Sequence, residues 1–97
     1  MGALCRKHRV VVVSDEIHCN LTDPDCGYVP FASVSDDCRE NSVTCIAPTN
    51  AFNLAGLHCS HAVIPNARLR EQYAKLADCP ITPFAIAALM AAYNEGD

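Results

Sequence analysis

The chain has no surplus of positive charge, no long apolar run and no closely spaced cysteine pair. Each absence removes a class of function. Its 97 residues carry 7 Lys and Arg against 11 Asp and Glu, a net charge of −4 with His neutral. A nucleic-acid footprint wants a basic face and an elevated pI. The one basic run, Arg6-Lys7-His8-Arg9, stands at the start of an apolar segment, so no nucleic-acid partner is expected. No apolar run approaches the roughly 20 residues needed to span a bilayer, so no membrane partner is expected either. Met1 to Arg9 lacks the apolar core of a secretory signal, which predicts a cytoplasmic location.

Seven cysteines are present: Cys5, Cys19, Cys26, Cys38, Cys45, Cys59 and Cys79. The count is odd and no two are separated by just two residues. Disulfide frameworks favour even counts and zinc sites favour close pairs. The cysteines are therefore read as reduced thiols, with Cys45 in an apolar strand pattern and Cys5 and Cys79 at helix edges. A zinc set drawn from His18, Cys19, His58, Cys59 and His61 is the competing reading, since imidazole and thiolate are zinc ligands. Its spacing is irregular, and no metal site is expected.

What is present is an alternation of strand and helix signals on the scale of one small domain. Hydrophobic residues make up 51% and charged ones 19%, the balance of a globular chain. Val10-Val11-Val12-Val13 reads as a strand over 10–14, interior to a parallel sheet and buried on both faces. Residues 1–8, before it, read as the tail end of a helix. A long loop over 19–34 is punctuated by Pro24, Gly27 and Pro30. Ser35 caps a short helix whose first turn holds Asp36 and Asp37, where the dipole favours anions. Strands are expected over Ser42–Ile46 and Cys59–Ile64. Asn66 caps a helix through about Ala77, with Leu69, Tyr73 and Leu76 as one apolar stripe. Thr82 and Pro83 open a last helix through Tyr93 that is apolar all round, a pattern that requires cover on every side. Three strands and the other short helices cannot supply that cover, so the chain reads as a piece of a larger α/β domain.

The polar residues cluster where the strands end. Ser14-Asp15-Glu16-Ile17-His18 follows the valines, and Ala47-Pro48-Thr49-Asn50-Ala51-Phe52-Asn53-Leu54-Ala55-Gly56-Leu57 follows the second strand. In open α/β sheets, ligands sit beyond the carboxyl ends of strands. Taken singly the residues have ordinary explanations. An aspartate after a strand is often a turn cap, His18 a satisfied loop histidine and Thr49 a turn residue after Pro48. Glu16 reads most simply as a structural or solvent-facing carboxylate.

Taken together they carry a resemblance. Ser14 to Cys19, Pro30-Phe31-Ala32-Ser33, Ala47-Pro48-Thr49, Phe52 to Leu57 and Ile64-Pro65-Asn66 closely resemble the pyridoxal-phosphate-dependent class I/II aminotransferases. Within them the similarity is to the cystathionine β-lyase-like C–S lyases of the MalY/PatB type. It runs from about residue 3 to the end and covers only the middle of a family chain. The resemblance implies a fragment, residues 1–97, of the large cofactor-binding domain of fold type I, a partial three-layer α/β sandwich. It implies pyridoxal 5'-phosphate as cofactor, an amino acid as substrate and a homodimer for the full-length protein.

By the same resemblance Asp15 pairs with the pyridine nitrogen and keeps the ring protonated, a charge-assisted bond worth about 1.5–3 kcal/mol. His18 faces the phenolic oxygen. Thr49 helps to hold the phosphate. Asn53 and Gly56 shape the loop, with glycine expected where backbone angles or a close approach exclude other residues. One position departs from the pattern. Asn50 stands where the family has the lysine that forms the Schiff base. An amide nitrogen is not basic and cannot condense with an aldehyde or act as a general base. Lys7 and Lys75 are the only lysines, one before the first strand and one on an exposed helix face. Eight residues on, where many relatives have a phosphate-binding arginine, stands His58. The chain is therefore expected to have no catalytic residue and no lyase or transaminase activity alone. The alternative is a non-catalytic protein that docks on a full-length relative through the apolar helix 83–93.

Overall fold

A computed structural model describes residues 1–23, 25–78 and 80–96. Pro24 and Cys79, both given roles from the sequence, lie outside the described residues. The elements are α1 (Gly2–Lys7), β1 (Val12–Asp15), α2 (Asp36–Glu40), β2 (Ser42–Ile46), α3 (Pro48–Ala51), β3 (His61–Val63), α4 (Ala67–Leu76) and α5 (Pro83–Glu95). Single 3-10 turns cover Cys19–Leu21, Phe31–Ser33 and Ala55–Leu57.

The three strands form one sheet in the order β1-β2-β3. β1 pairs with β2 in parallel, Val12 opposite Ser42 and Asp15 opposite Cys45. β2 pairs with β3 antiparallel, Thr44 opposite Val63 and Ile46 opposite His61. Alternation along the strands therefore places Val12, Ser14, Ser42, Thr44, Ile46, His61 and Val63 on one face, and Val13, Asp15, Val43, Cys45 and Ala62 on the other. Both faces meet other elements. Pro30 and Ala32 share a recess with Thr44, Ile46 and Val63, and Tyr73 of α4 shares one with Ala62. This is a mixed α/β sheet with material on both sides.

Three strand expectations need correction. The sheet is mixed rather than parallel, because the 14 residues between β2 and β3 hold only short turns and no crossover helix. A parallel return needs such a crossover. Within this chain β1 has one neighbour, β2, and Val13 is 68% exposed, as expected of a strand whose other neighbour is not supplied here. It also starts later than the valine run. Arg9 takes a left-handed φ of 57°, and the Val10 N–H turns back to the Cys5 carbonyl at 2.9 Å. β3 is likewise shorter than Cys59–Ile64.

The helix caps follow the local sequence. The Ser35 hydroxyl accepts from the Cys38 N–H at 3.2 Å. The Asn66 side chain accepts from the Arg68 and Leu69 N–H groups at 2.9 and 3.1 Å. The Thr82 hydroxyl accepts from the Ala85 N–H at 3.2 Å. Burial is sparser than the apolar patterns demand. On α4, Leu69 is half-buried while Leu76 is 88% exposed. On α5, only Ala85 and Ala92 are buried, and Phe84 is 82% exposed. A radius of gyration of 14.9 Å within a slab 41 × 39 × 17 Å exceeds the ≈ 13 Å of a compact chain of about 100 residues. The sheet and helices are arranged as in a layered domain but are incompletely covered within this chain.

Candidate functional site at the carboxyl ends of β1 and β2

Because β1 and β2 run parallel, their carboxyl ends open on the same side of the sheet. Asp15 closes β1, is exposed, and accepts from the Ile17 N–H at 3.4 Å. His18 follows at the start of the 3-10 turn Cys19–Leu21, also exposed. One strand over, Pro48 opens the one-turn helix α3, which holds Thr49 and Asn50. The Phe52 N–H bonds to the Pro48 carbonyl at 2.9 Å and the Leu54 N–H to the Thr49 carbonyl at 2.8 Å. The chain thus coils back after β2 and presents Thr49 and Asn50 on its first turn.

Thr49, Asn50 and His58 line one open recess of about 330 Å³, together with Ala47, Ser60 and buried Cys59. Asp15 and His18 stand at the neighbouring strand end and do not line it. The loop that shapes this recess corrects one expectation. Gly56 has no positive φ and open space where a Cβ would stand. The left-handed positions are Asn53, φ 54°, and His58, φ 48°. Asparagine tolerates that region because its short polar side chain bonds locally; His58 adopts it at greater steric cost.

Of the two roles open to Glu16, structural or solvent-facing, the structure shows the first, with partners the sequence did not name. Its carboxylate accepts from the Ser14 hydroxyl at 2.8 Å and the Phe31 N–H at 2.9 Å, and from the Tyr28 hydroxyl. Burial raises its pKa, but the hydrogen bonds from Tyr28, Phe31 and Ser14 outweigh this and hold it below 4.5. Burial, then the bond to the Glu16 anion, drives the Tyr28 pKa well above its ordinary value. Glu16 therefore fastens the 28–33 segment to the end of β1. The signal was present as two separate motif blocks, Ser14-Asp15-Glu16 and Pro30-Phe31-Ala32-Ser33, whose physical link is this carboxylate.

A second tie comes from α5. Tyr93 stacks edge-on to Phe52 with centroids 6.3 Å apart and lies 5.9 Å from the His61 ring. Burial, then the nearby Cys19 and Cys59, raises the Tyr93 pKa above 10.0. α5 is thereby anchored on the loop that carries Asn50. The six described cysteines are free thiols. Among the described residues no three His, Cys, Asp or Glu side chains are gathered as metal ligands, so His18, Cys19, His58, Cys59 and His61 do not form such a set. No helix among them is long and apolar enough to cross a membrane.

Similarity to known proteins covers almost the whole chain. No protein-family model matches it. It is 42% identical over 100 residues to cystathionine β-lyase PatB of Bacillus subtilis (strain 168), covering 99% of this chain and 26% of that one. Among solved structures, OvoB superposes with a TM-score of 0.90 at 40% identity, over 97% of this chain and 26% of OvoB. The PLP-bound C–S lyase from Staphylococcus hominis superposes with a TM-score of 0.87 at 30% identity, over 98% of this chain and 24% of the lyase. The chain spans about a quarter of the length of the relatives it matches.

Proposed function

We infer that this chain, a homologue of one segment of the C–S lyase branch of the pyridoxal-phosphate-dependent aminotransferases, provides one wall of a cofactor site and has no lyase or transaminase activity alone. The observation that carries the reading is Asn50, exposed on the first turn after β2, where the resemblance places the Schiff-base lysine. Pyridoxal phosphate needs an anion at its ring nitrogen, donors for its phosphate and an amine for its aldehyde. The first two requirements fit: the Asp15 carboxylate is exposed at the end of β1, and the Thr49 hydroxyl and His58 imidazole share a recess. The third does not. Lys75 holds Glu71 at 3.0 Å on α4, and Lys7 lies in α1, before the amino end of β1. The residues fit a cofactor held without a covalent link.

When bound, the cofactor supplies an electron sink for the substrate α-carbon. Asp15 holds the proton on the ring nitrogen. His18 donates toward the phenolic oxygen. Thr49 and His58 donate to the phosphate. The substrate amino acid and the homodimer are carried from the same resemblance, and a cytoplasmic location from the reading of the cysteines as reduced thiols.

Titration with pyridoxal phosphate, followed by borohydride reduction and mass spectrometry, tests the reading. The expected result is no stable adduct on the chain, and covalent labelling when Asn50→Lys is made. A stoichiometric adduct on the unaltered chain overturns it. A second reading, docking on a full-length relative through α5, is favoured by the exposure of Phe84, Ile86 and Met90. Native mass spectrometry of the two together decides it; absence of a mixed species removes it.

A further inference from the structure

We propose that Tyr93 is a positioning residue for the recess beside Asn50. Its ring sets the spacing between the Thr49 wall and the His58 wall, and so the fit of a phosphate between them. This role rests on the reading that the recess takes the phosphate of a cofactor.

Neither wall is rigid by its own bonding. Thr49 and Asn50 stand on α3, which is four residues long, and a single helical turn does not hold itself. It is fixed at its two ends. Pro48 is fully buried at the start, and at the finish the Phe52 N–H bonds to the Pro48 carbonyl at 2.9 Å. The other wall, His58 to Ser60, runs between a 3-10 turn and β3. His58 itself is left-handed, φ 48°.

Tyr93 packs on the residue that follows each wall. Its ring stands edge-on to Phe52, at 79° with centroids 6.3 Å apart, just past Asn50 and Ala51. The same ring lies 5.9 Å from the His61 ring, just past Cys59 and Ser60. Both separations are those of rings in contact. His61 is in turn set by the sheet, opposite Ile46 of β2, the strand that leads into α3. One ring from α5 therefore bridges both flanks of the recess. Burial, then Cys19 and Cys59, raises its pKa; Cys59 lines the recess and Cys19 follows His18.

A close approach holds this end of α5 in place. Ala92 is buried beside Tyr93. A Cβ on Gly96 would meet the Ala92 carbonyl oxygen and stand 2.8 Å from the Phe52 ring, so the chain passes there only as glycine. Phe52 is gripped between the Tyr93 ring and the Gly96 backbone. These are packed contacts between residues 48 and 96. A binding site loses force when its supporting shell lets the donors drift by about 1 Å, and Tyr93 is that shell for Thr49 and His58.

Titration of the whole chain with inorganic phosphate, followed by NMR at the Thr49 amide and the His58 ring, tests the role. In the parent both signals should shift along one saturation curve, and the Tyr93 ring signals should move with them. Tyr93→Leu should weaken phosphate binding by about tenfold or more, the worth of one charge-assisted hydrogen bond. Tyr93→Phe keeps the ring and should keep the parent affinity. A residue that only stabilises the fold changes the unfolding midpoint and leaves phosphate affinity alone. Phe84→Ala, at the far end of the same helix, should leave it alone; an equal loss there overturns the role of Tyr93. Where Tyr93→Leu does not keep the parent circular dichroism spectrum, Gly96→Ala displaces Phe52 with the Tyr93 ring intact and should show the same loss. Parent affinity in a folded Tyr93→Leu or Gly96→Ala chain overturns the proposal and leaves the cofactor reading standing. In the unaltered chain, Tyr93 ring signals indifferent to phosphate while Thr49 and His58 respond have the same consequence. No response at Thr49 and His58 removes the phosphate from this recess, and the positioning role falls with it.

Discussion

The Phe31 backbone N–H donates to the Glu16 carboxylate at 2.9 Å across fifteen positions of chain. That one bond joins a loop to the strand end that carries Asp15. The carboxylate also holds Ser14 and Tyr28, so three donors depend on its ionised state. Glu16→Ala is expected to cost about 1.5–3 kcal/mol, the range for hydrogen bonds to a charged acceptor, read from urea unfolding.

The same group sets a pH dependence. Its folded pKa is held below 4.5 by Tyr28, Phe31 and Ser14 against the opposing effect of burial. A carboxyl with a depressed folded pKa binds fewer protons in the folded state than in the unfolded one across the acid range. Its contribution is present in full above the unfolded value and is lost as pH falls through the folded one. Unfolding midpoints measured downward from pH 6 should fall below about pH 4.5, and Glu16→Gln should flatten that part of the curve. A slope unchanged in Glu16→Gln would assign the acid sensitivity to other carboxylates.

His58 limits how firmly this chain can hold a phosphate. It lines the recess with Thr49 and Asn50 and offers a single ring donor. A guanidinium offers a fixed charge and a two-pronged fork. His58→Arg should tighten non-covalent pyridoxal phosphate binding by about tenfold, the equivalent of roughly 1.4 kcal/mol, measured by isothermal titration calorimetry. An unchanged affinity would place the phosphate elsewhere.

Local chemistry was legible in the sequence and long-range pairing was not. Ser35, Asn66 and Thr82 cap the helices they precede, because a cap is decided by a side chain and an N–H two or three residues away. The work of Glu16 depends on partners twelve and fifteen residues off, which no window along the chain reveals. The valine run marked a strand correctly, though the strand begins only at Val12. Burial on both faces belongs to a completed sheet, and in this chain β1 has one neighbour. The recess was half-legible. Thr49 and Asn50 share a turn by sequence, whereas His58 joins them only because Asn53 and His58 both turn left-handed. Asp15 was placed correctly at a strand end, next to Cys45.

Asn66 does double duty at the start of α4. Its oxygen accepts from the Arg68 and Leu69 N–H groups, and its amide donates to the Glu40 carbonyl at 2.9 Å. It therefore caps one helix and holds the end of another. Asn66→Asp keeps the cap and loses the donor; Asn66→Ala loses both. The expected order of stability is parent, Asp, Ala, with the alanine variant down by about 1–2 kcal/mol, the usual cost of a lost cap. Equal stability of the Asp variant and the parent would show that the bond to Glu40 contributes nothing.

The central strand carries an opposite kind of residue. Ser42 and Thr44 are 0% and 5% exposed, and neither hydroxyl oxygen has a hydrogen-bond partner among the described residues. A buried hydroxyl without a partner costs roughly 1–3 kcal/mol of desolvation. Replacing it by an apolar group of the same shape removes that cost. Thr44→Val keeps the branched outline and the strand preference while deleting the hydroxyl, and Thr44 faces Ile46 and Val63 across an apolar recess. By that reasoning Thr44→Val is expected to raise stability by about 1 kcal/mol. Ser42→Ala should do the same with a smaller gain, because alanine has weaker strand preference. Denaturant midpoints check both. A loss of stability in Thr44→Val would mean that the hydroxyl has a partner in solution, and an ordered water in that recess is the first place to look.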